Sequence, residues 1–224
     1  MVDNFNQIKR LLKFDSEGDC YYIQLLRRQA DDPKINGVSD PKYHGNMHSR
    51  SIKDYFVKSI DHLDDIEQDI KKLCEIFNVR AYIRLNKRNY KQIDLNILKH
   101  IAEQCASGET YSSPFHLVAS AAGKANCAGK DKTWIVDLDK EYLPYEEEIK
   151  KIIVQCEPYD KLVAESSAEQ VMNSMPVIPT KSGKHIISRP FNKDRFNRLW
   201  RESPMKELNV LDIHPDNPTI LYVP

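Results

Sequence analysis

Two aspartates in the second half of the sequence have the spacing of a metal-binding pair. Asp137 and Asp139 follow the apolar residues Trp134, Ile135 and Val136. Alternate side chains of a strand face the same side, so both carboxylates would project together from the end of this segment. Hard cations such as Mg²⁺ take oxygen ligands, commonly one or two carboxylates together with substrate phosphates. The pair therefore predicts a site for Mg²⁺ or Mn²⁺; the alternative is a strand end with solvated acids.

A basic, glycine-containing segment at residues 180–189 has the side chains of a phosphate-binding turn. Its sequence is TKSGKHIISR, and its candidate nucleotide-binding residues are Lys181, Ser182, Lys184, His185 and Arg189. Backbone N–H groups exposed at a glycine turn suit a triphosphate, as do ammonium, hydroxyl and imidazole groups. The GxxxxGK[ST] spacing of a Walker loop is absent. The alternative is an ordinary basic hairpin turn, for which Ser-Gly is a common choice.

A third acid lies near the end of the sequence, in the segment VLDI at residues 210–213. Burying an aspartate within an apolar strand is costly unless the carboxylate is paired or coordinates a metal. Asp212 is therefore a candidate ligand beside Asp137 and Asp139. Asp216 competes with it for this role, because Asp212 could instead face solvent.

Taken in order, these three segments resemble the motifs of the archaeo-eukaryotic primase superfamily, which includes primase-polymerases and the polymerase domains of bacterial end-joining ligases. The resemblance covers residues 79–224 and implies an RRM-like mixed sheet with flanking helices as the catalytic core. It implies that Asp137, Asp139 and Asp212 are the catalytic residues and hold Mg²⁺ or Mn²⁺. It also implies that Ser182 and His185 contact the phosphates of an incoming nucleoside triphosphate. The enzyme would add this nucleotide opposite a DNA or RNA template, as in DNA replication.

A second basic cluster lies around a predicted strand-to-helix turn. Its candidate nucleic-acid-binding residues are Arg84, Lys87 and Arg88, accompanied by Tyr82 and Tyr90. Basic side chains contact phosphates and aromatic rings stack on bases, so this cluster predicts a path for the nucleic-acid template. A solvated turn is the alternative.

The elements that must position these residues follow from hydrophobic periodicity and turn signals. We expect helices at residues 6–14, 51–77, 90–105, 144–156 and 192–200, with a short one within 106–131. We expect strands at residues 20–26, 79–85, 133–138, 175–180, 185–190, 210–213 and 219–223, the two at 175–190 forming a hairpin. This alternation predicts an α/β or α+β fold. We expect an N-terminal segment of residues 1–78 that packs on a primase-polymerase-like core of residues 79–224.

Composition limits the function classes. The formal net charge is zero, with 33 basic and 33 acidic side chains, so a nucleic-acid partner would need a local basic patch. Five scattered cysteines without a CxxC pair predict free thiols in a reducing compartment. No segment approaches the run of about 20 apolar residues that a membrane span needs. The sequence thus predicts a cytoplasmic protein with no membrane partner.

Two other functions remain open at this point. The segment VDLDKEYLP is similar to the start of a haloacid-dehalogenase-like phosphatase, with Asp137 as nucleophile and Asp139 as acid. That family places Thr or Val where Glu141 stands and needs a later lysine and acidic pair. The non-enzymatic alternative is a nucleic-acid- or nucleotide-binding accessory protein. Metal dependence separates it from a polymerase, because a simple binder would tolerate the loss of Asp137 and Asp139.

Overall fold

The fold is known from a computed structural model that describes residues 1–31, 49–108, 114–124, 131–216 and 218–224. The chain divides into two compact units: unit 1 comprises Met1–Gly129 with Ile220–Pro224, and unit 2 comprises Lys130–Thr219. Each unit contains an antiparallel sheet with flanking helices, which confirms the predicted α+β class. The predicted boundary after residue 78 lies inside unit 1.

The described secondary structure begins with β1 (Val2–Asp3), α1 (Phe5–Lys9), β2 (Asp19–Arg28), β3 (Ser49–Val57), α2 (Ile60–Phe77), β4 (Arg80–Ile83), β5 (Arg88–Asn89), α3 (Tyr90–Ser107) and α4 (Pro114–Lys124). It continues with β6 (Trp134–Leu138), α5 (Glu146–Val154), α6 (Tyr159–Glu165), α7 (Ala168–Asn173), β7 (Val177–Pro179), β8 (Lys184–Ser188), α8 (Lys193–Glu202), β9 (Ile213–His214) and β10 (Thr219–Val223). Short 3₁₀ helices occupy Gln29–Asp31 and Lys140–Tyr145. Among the described helices, none is long and apolar enough to cross a membrane.

The sheet of unit 1 is organised around β2. Its strand order is β1-β10-β4-β2-β3, and β5 pairs with β2 as an additional short strand. β2 pairs antiparallel with β3, β4 and β5. On one face, Tyr22 packs with Phe56 of β3, with Ile93 of α3 and with Ala121 and Ala122 of α4.

The helix predicted for residues 51–77 is wrong over its first third, where the structure contains β3. Residues of β3 pair with β2 from Tyr21↔Val57 to Arg28↔Ser49. Ile52, Tyr55 and Phe56 recur at helical spacing, but pairing with β2 makes this segment a strand. The helix α2 begins only after Ser59, whose side chain accepts a hydrogen bond from the His62 N–H, and it ends at Asn78 in the left-handed conformation.

The sheet of unit 2 has the strand order β7-β8-β6-β9, and its three pairings are antiparallel. The predicted hairpin is confirmed as β7 and β8. On one face of the sheet, Val136 and Ile186 are buried in the core that α5, α7 and α8 complete. Helices α6 and α7 were not expected. The strand predicted for residues 210–213 is shorter than expected, since only Ile213 and His214 join the sheet.

Candidate functional site

The first acidic motif, Asp137 and Asp139, lies at the C-terminal end of strand β6. Val136 and Leu138 are fully buried and anchor the strand in the core, whereas the Asp137 side chain between them is 38 % exposed. Asp139 lies just past the strand, where the backbone turns into the 3₁₀ helix, and its exposed carboxylate does not cap that helix. The two carboxylates therefore occupy a strand end and the following turn, not two positions of one strand.

The antiparallel register brings all three sequence motifs to neighbouring positions. Asp137 on β6 is directly paired with His185 on β8. On the other side of β6, the Asp137 N–H donates to the Asp212 carbonyl oxygen at 3.1 Å, next to the Val136↔Ile213 pair. Directly paired residues on antiparallel strands project from the same face. The His185 Nε2 atom accordingly lies 3.4 Å from the Asp137 Oδ1 atom. We call His185, Asp137 and Asp212 the motif row.

A residue that sequence reasoning missed holds the other side of the imidazole. The Thr219 Oγ1 atom lies 2.8 Å from the His185 Nδ1 atom, and Thr219 is fully buried. A buried hydroxyl is costly without a hydrogen-bond partner, and His185 supplies one. With the imidazole proton on Nε2, His185 accepts from the Thr219 hydroxyl and directs its N–H toward the Asp137 carboxylate. The sequence signal that could have identified Thr219 is its position as a polar residue at the start of the apolar segment TILYV.

The turn between β7 and β8 packs directly against the end of β6. The Thr180 N–H donates to the Gly183 carbonyl oxygen at 2.9 Å, and the Gly183 N–H donates to the Thr180 hydroxyl at 2.9 Å. A Cβ atom on Gly183 would lie 2.0 Å from the Leu138 carbonyl oxygen and 3.2 Å from the Asp139 Cα atom. Only glycine fits at this approach. The glycine thus brings the turn of the second motif against the acidic end of the first.

The predicted phosphate ligands fall into two groups. Lys181, Ser182, Lys184 and His185 lie in the turn or just after it, with Lys181 and Ser182 exposed. Arg189 instead follows the far end of β8, roughly 13 Å along an extended strand from His185 at about 3.3 Å per residue. Its side chain is exposed, and its backbone N–H donates to the Tyr159 hydroxyl at 2.6 Å. The turn therefore gathers four of the five predicted ligands.

An ion-pair cluster connects the turn to helix α5. The Glu146 Oε2 atom lies 2.7 Å from the Lys184 Nζ atom, and Glu146 Oε1 lies 2.9 Å from Lys150 Nζ. Burial disfavours the Glu146 carboxylate anion, but hydrogen bonds from Lys184 and Lys150 outweigh that effect and lower its pKa below 4.5. Glu146 is therefore a carboxylate at neutral pH and pairs with both lysines.

The pKa of Tyr142 is affected by the acidic residues of the site. Its hydroxyl donates to the Asn209 carbonyl oxygen at 3.2 Å. Burial, a hydrogen bond with Glu141, and the charges of Glu141, Asp139 and Asp212 raise the pKa of Tyr142 to about 12. Asp139 and Asp212 therefore both lie close enough to act on one buried hydroxyl, although burial is the largest cause of its raised pKa.

The donor set has the chemistry of a Mg²⁺ or Mn²⁺ site shared with a ligand. Within the described ranges, no three His, Cys, Asp or Glu side chains converge as a group that could hold a metal ion. Mg²⁺, however, is usually bound by one or two carboxylates together with phosphate oxygens and water. Asp137, Asp139 and Asp212 offer partly or fully exposed carboxylates of this kind. One or two of these carboxylates match the chemistry of such a cation when a bound polyphosphate completes its coordination.

The predicted nucleic-acid residues of unit 1 do not form an open basic surface. Arg88 is fully buried, and its guanidinium donates to the carbonyl oxygens of Ala122 at 2.8 Å, Gly123 at 3.2 Å and Asn86 at 2.5 Å. These first two carbonyls belong to the last turn of α4, where a cation is favourable. Arg88 therefore holds helix α4.

The other two members of this cluster are also largely enclosed. The Lys87 side chain is 11 % exposed, and its ammonium group lies 2.5 Å from Asp15 and 3.1 Å from Asp19. Those two carboxylates hold the pKa of Lys87 above its ordinary value although burial opposes the shift. Arg84 is half-buried. Lys87 and Arg88, two of the three basic residues predicted to bind a template, thus form contacts within unit 1.

Comparison with known proteins finds no match to a family model, a curated protein or a solved structure. The functional interpretation therefore depends on the motif row and the turn.

Proposed function

We propose that this chain is a metal-dependent nucleotidyltransferase of the primase-polymerase type that uses nucleoside triphosphates on a nucleic-acid template. The observation that carries this proposal is the motif row. Three segments far apart in sequence meet here: His185 and Asp137 are paired on two neighbouring strands, and Asp212 lies beside Asp137, just before the third strand. His185 and Asp137 are partly buried, and such groups are costly there unless they have a partner or a ligand.

In this proposal the acidic side of the row holds the cation. Asp137, Asp139 and Asp212 would share Mg²⁺ or Mn²⁺ with the triphosphate, consistent with their exposure. A cation held by these residues would supply Lewis-acid chemistry, lowering the pKa of an attacking 3′-hydroxyl and offsetting the charge of the leaving pyrophosphate. The exposed position of Asp139 at the turn allows it to approach the same ligand as Asp137.

The basic side of the row binds the phosphates. Lys181, Ser182 and Lys184 surround the Gly183 turn, and His185 is the donor nearest to Asp137. We assign His185 to phosphate binding and not to general-base catalysis, because the cation would already activate the nucleophile in this proposal. The Nε2 atom of His185, which lies 3.4 Å from Asp137, is the ring nitrogen that a phosphate beside Asp137 would contact. Arg189 would contact only a part of the ligand that extends along β8. Arg84, which is half-buried, would be the first unit 1 residue to test for template binding, since the Lys87 side chain is 11 % exposed and Arg88 is fully buried.

A non-catalytic nucleotide-binding or nucleic-acid-binding accessory protein is the second candidate. It is favoured by the lack of a group of three metal-ligating side chains within the described residues. The two proposals differ in turnover, which only the first requires. Under either one we expect the protein to act in the cytoplasm, where the free thiols of Cys20, Cys74, Cys105 and Cys156 would remain reduced.

Primer extension separates the two candidates. The full chain is incubated with Mn²⁺, nucleoside triphosphates and a labelled primer on a DNA or an RNA template, and de novo synthesis is measured without the primer. We expect product from the wild type and none from Asp137→Ala or Asp139→Ala. Asp160→Ala, which removes an exposed carboxylate of helix α6, is the matched control and should retain activity. Equal product from Asp137→Ala and the wild type would refute nucleotidyl transfer at this site.

A further inference from the structure

Glu146 connects the phosphate-binding turn to the core of unit 2. It is the first residue of helix α5, and its side chain is 17 % exposed. Each carboxylate oxygen has its own lysine: Oε1 lies 2.9 Å from Lys150, and Oε2 lies 2.7 Å from Lys184. None of the candidate motifs includes Glu146, so the primase resemblance assigns it no role.

The two lysines differ in what they can still contact. The Lys150 side chain is 8 % exposed and also approaches Glu147 at 3.3 Å, so its ammonium group is held among protein carboxylates. The Lys184 side chain is 43 % exposed. An ammonium group has three N–H donors, of which Glu146 takes one, so Lys184 keeps donors for a ligand. Lys184 begins β8, directly after Gly183 and next to His185 in the motif row.

We propose that Glu146 is a positioning residue that fixes the Lys184 ammonium group beside the Gly183 turn for contact with the terminal phosphates of a triphosphate. This inference rests on the proposed function, because it assigns Lys184 to a bound polyphosphate. A free lysine loses rotamer freedom when a ligand orders it, and a lysine held in advance loses less. Glu146 therefore raises polyphosphate affinity through Lys184, although it carries the same sign of charge as the ligand.

The electrostatic balance of the cluster agrees with this role. A carboxylate beside a phosphate site repels the ligand, but here Lys150 and Lys184 each add one positive charge to the one negative charge of Glu146. Glu147, which lies 3.3 Å from Lys150, brings the sum of the four charges to zero. Lys150 keeps Glu146 in place from the buried side, and Lys184 is the lysine of the cluster that lies at the turn.

A double-mutant cycle tests whether Glu146 acts through Lys184. The full-length wild type, Glu146→Gln, Lys184→Ala and the double variant are titrated calorimetrically with dATP and, separately, with inorganic tripolyphosphate, both in the presence of Mn²⁺. We expect Glu146→Gln to weaken both ligands by about three- to tenfold, the range that corresponds to ordering one long side chain. In the Lys184→Ala background, the same substitution should have no further effect on affinity.

Two variants distinguish positioning from a general structural role. Glu146→Asp keeps the charge and should recover part of the affinity. Glu147→Gln removes a 64 % exposed neighbour that pairs with Lys150 and not with Lys184, and it should bind like the wild type. Thermal unfolding is measured in parallel, because Glu146→Gln also removes a partner of the buried Lys150.

The outcomes are separable. Unchanged affinity in Glu146→Gln would overturn the proposal, and so would an equal loss of affinity in the Lys184→Ala background. That second result would mean that Glu146 acts through the fold alone. If the wild type binds neither ligand, both this inference and the proposed function fail. If the wild type binds both ligands and the effects of Glu146→Gln and Lys184→Ala on affinity simply add, the proposed function stands and this inference alone is refuted.

Discussion

Replacing Gly183 with alanine should separate the phosphate-binding turn from the acidic end of β6. The added Cβ atom would lie 2.0 Å from the Leu138 carbonyl oxygen and 3.0 Å from the Leu138 carbonyl carbon. Both of these atoms belong to the backbone of a central strand whose neighbouring side chains Val136 and Leu138 are fully buried. The strand is therefore less free to move than the turn, and we expect the turn to shift.

The size of the shift and its cost follow from that contact. Ordinary separation of non-bonded atoms is about 3.5 Å, so the turn must move by roughly 1.5 Å. Added volume in a well-packed region typically costs about 1–3 kcal/mol, and we expect the free energy of unfolding to fall by that amount. A misplacement of about 1 Å in a catalytic site can cost on the order of a hundredfold in rate. Nucleotidyl transfer should therefore fall much further than stability.

Urea unfolding gives the stability change, and primer extension gives the activity. Gly123→Ala is the matched control, because Gly123 lies in helix α4 and an added Cβ there meets nothing within 4 Å. Alanine in a helix is favoured over glycine by up to about 1 kcal/mol, so this control should be neutral or slightly stabilising. Wild-type stability and wild-type activity in Gly183→Ala would refute the packing argument.

Three further predictions concern single contacts. Thr219→Val should lower the free energy of unfolding by about 1–2 kcal/mol because His185 Nδ1 loses its partner, and Thr219→Ser should retain most of it; equal urea curves for all three proteins would contradict this. Arg88→Met should cost about 1–3 kcal/mol, since carbonyl oxygens in the last turn of α4 lose their buried hydrogen-bond donor, and an unchanged free energy of unfolding would argue against a structural role. The pKa of Glu146 lies below 4.5 in the folded protein, so its stabilisation is present above about pH 4.5 and is lost as pH falls further. Glu146→Gln should remove that part of the pH dependence of urea unfolding, and an unchanged acid profile would refute it.

Local sequence signals predicted the elements that carry the site. The apolar segment before Asp137 and the Ser-Gly turn each depend on residues within a few positions, and each corresponds to an observed element. Residues 51–57 were misassigned because Ile52, Tyr55 and Phe56 have helical spacing, and only pairing with the distant strand β2 makes the segment a strand. Leu211 is buried in the core but does not join the sheet. The apolar residues at 210–213 therefore predicted a longer strand than β9.

The contacts within the site could not be predicted in the same way. Spacing identified Asp137 and His185, but their 3.4 Å approach depends on the register of β6 and β8. Thr219 lies 34 positions beyond His185, in a segment whose composition reads as an ordinary buried strand. Arg88 appeared to belong to a basic surface because a sequence gives charge but not burial. Its place in β5, paired with β2, turns the side chain toward α4.

The central claim is that nucleotide and metal bind together at the motif row. The most direct test is calorimetric titration of the full chain with dATP and with GTP, each with and without Mn²⁺, for the wild type and for Asp137→Ala/Asp139→Ala. Both carboxylates are at least partly exposed, so the double variant should fold normally, with a stability change within about 0.5 kcal/mol per site. We predict Mn²⁺-dependent binding by the wild type that is lost in the folded double variant. Absence of binding by the wild type, or equal Mn²⁺-dependent binding by both proteins, would contradict the claim.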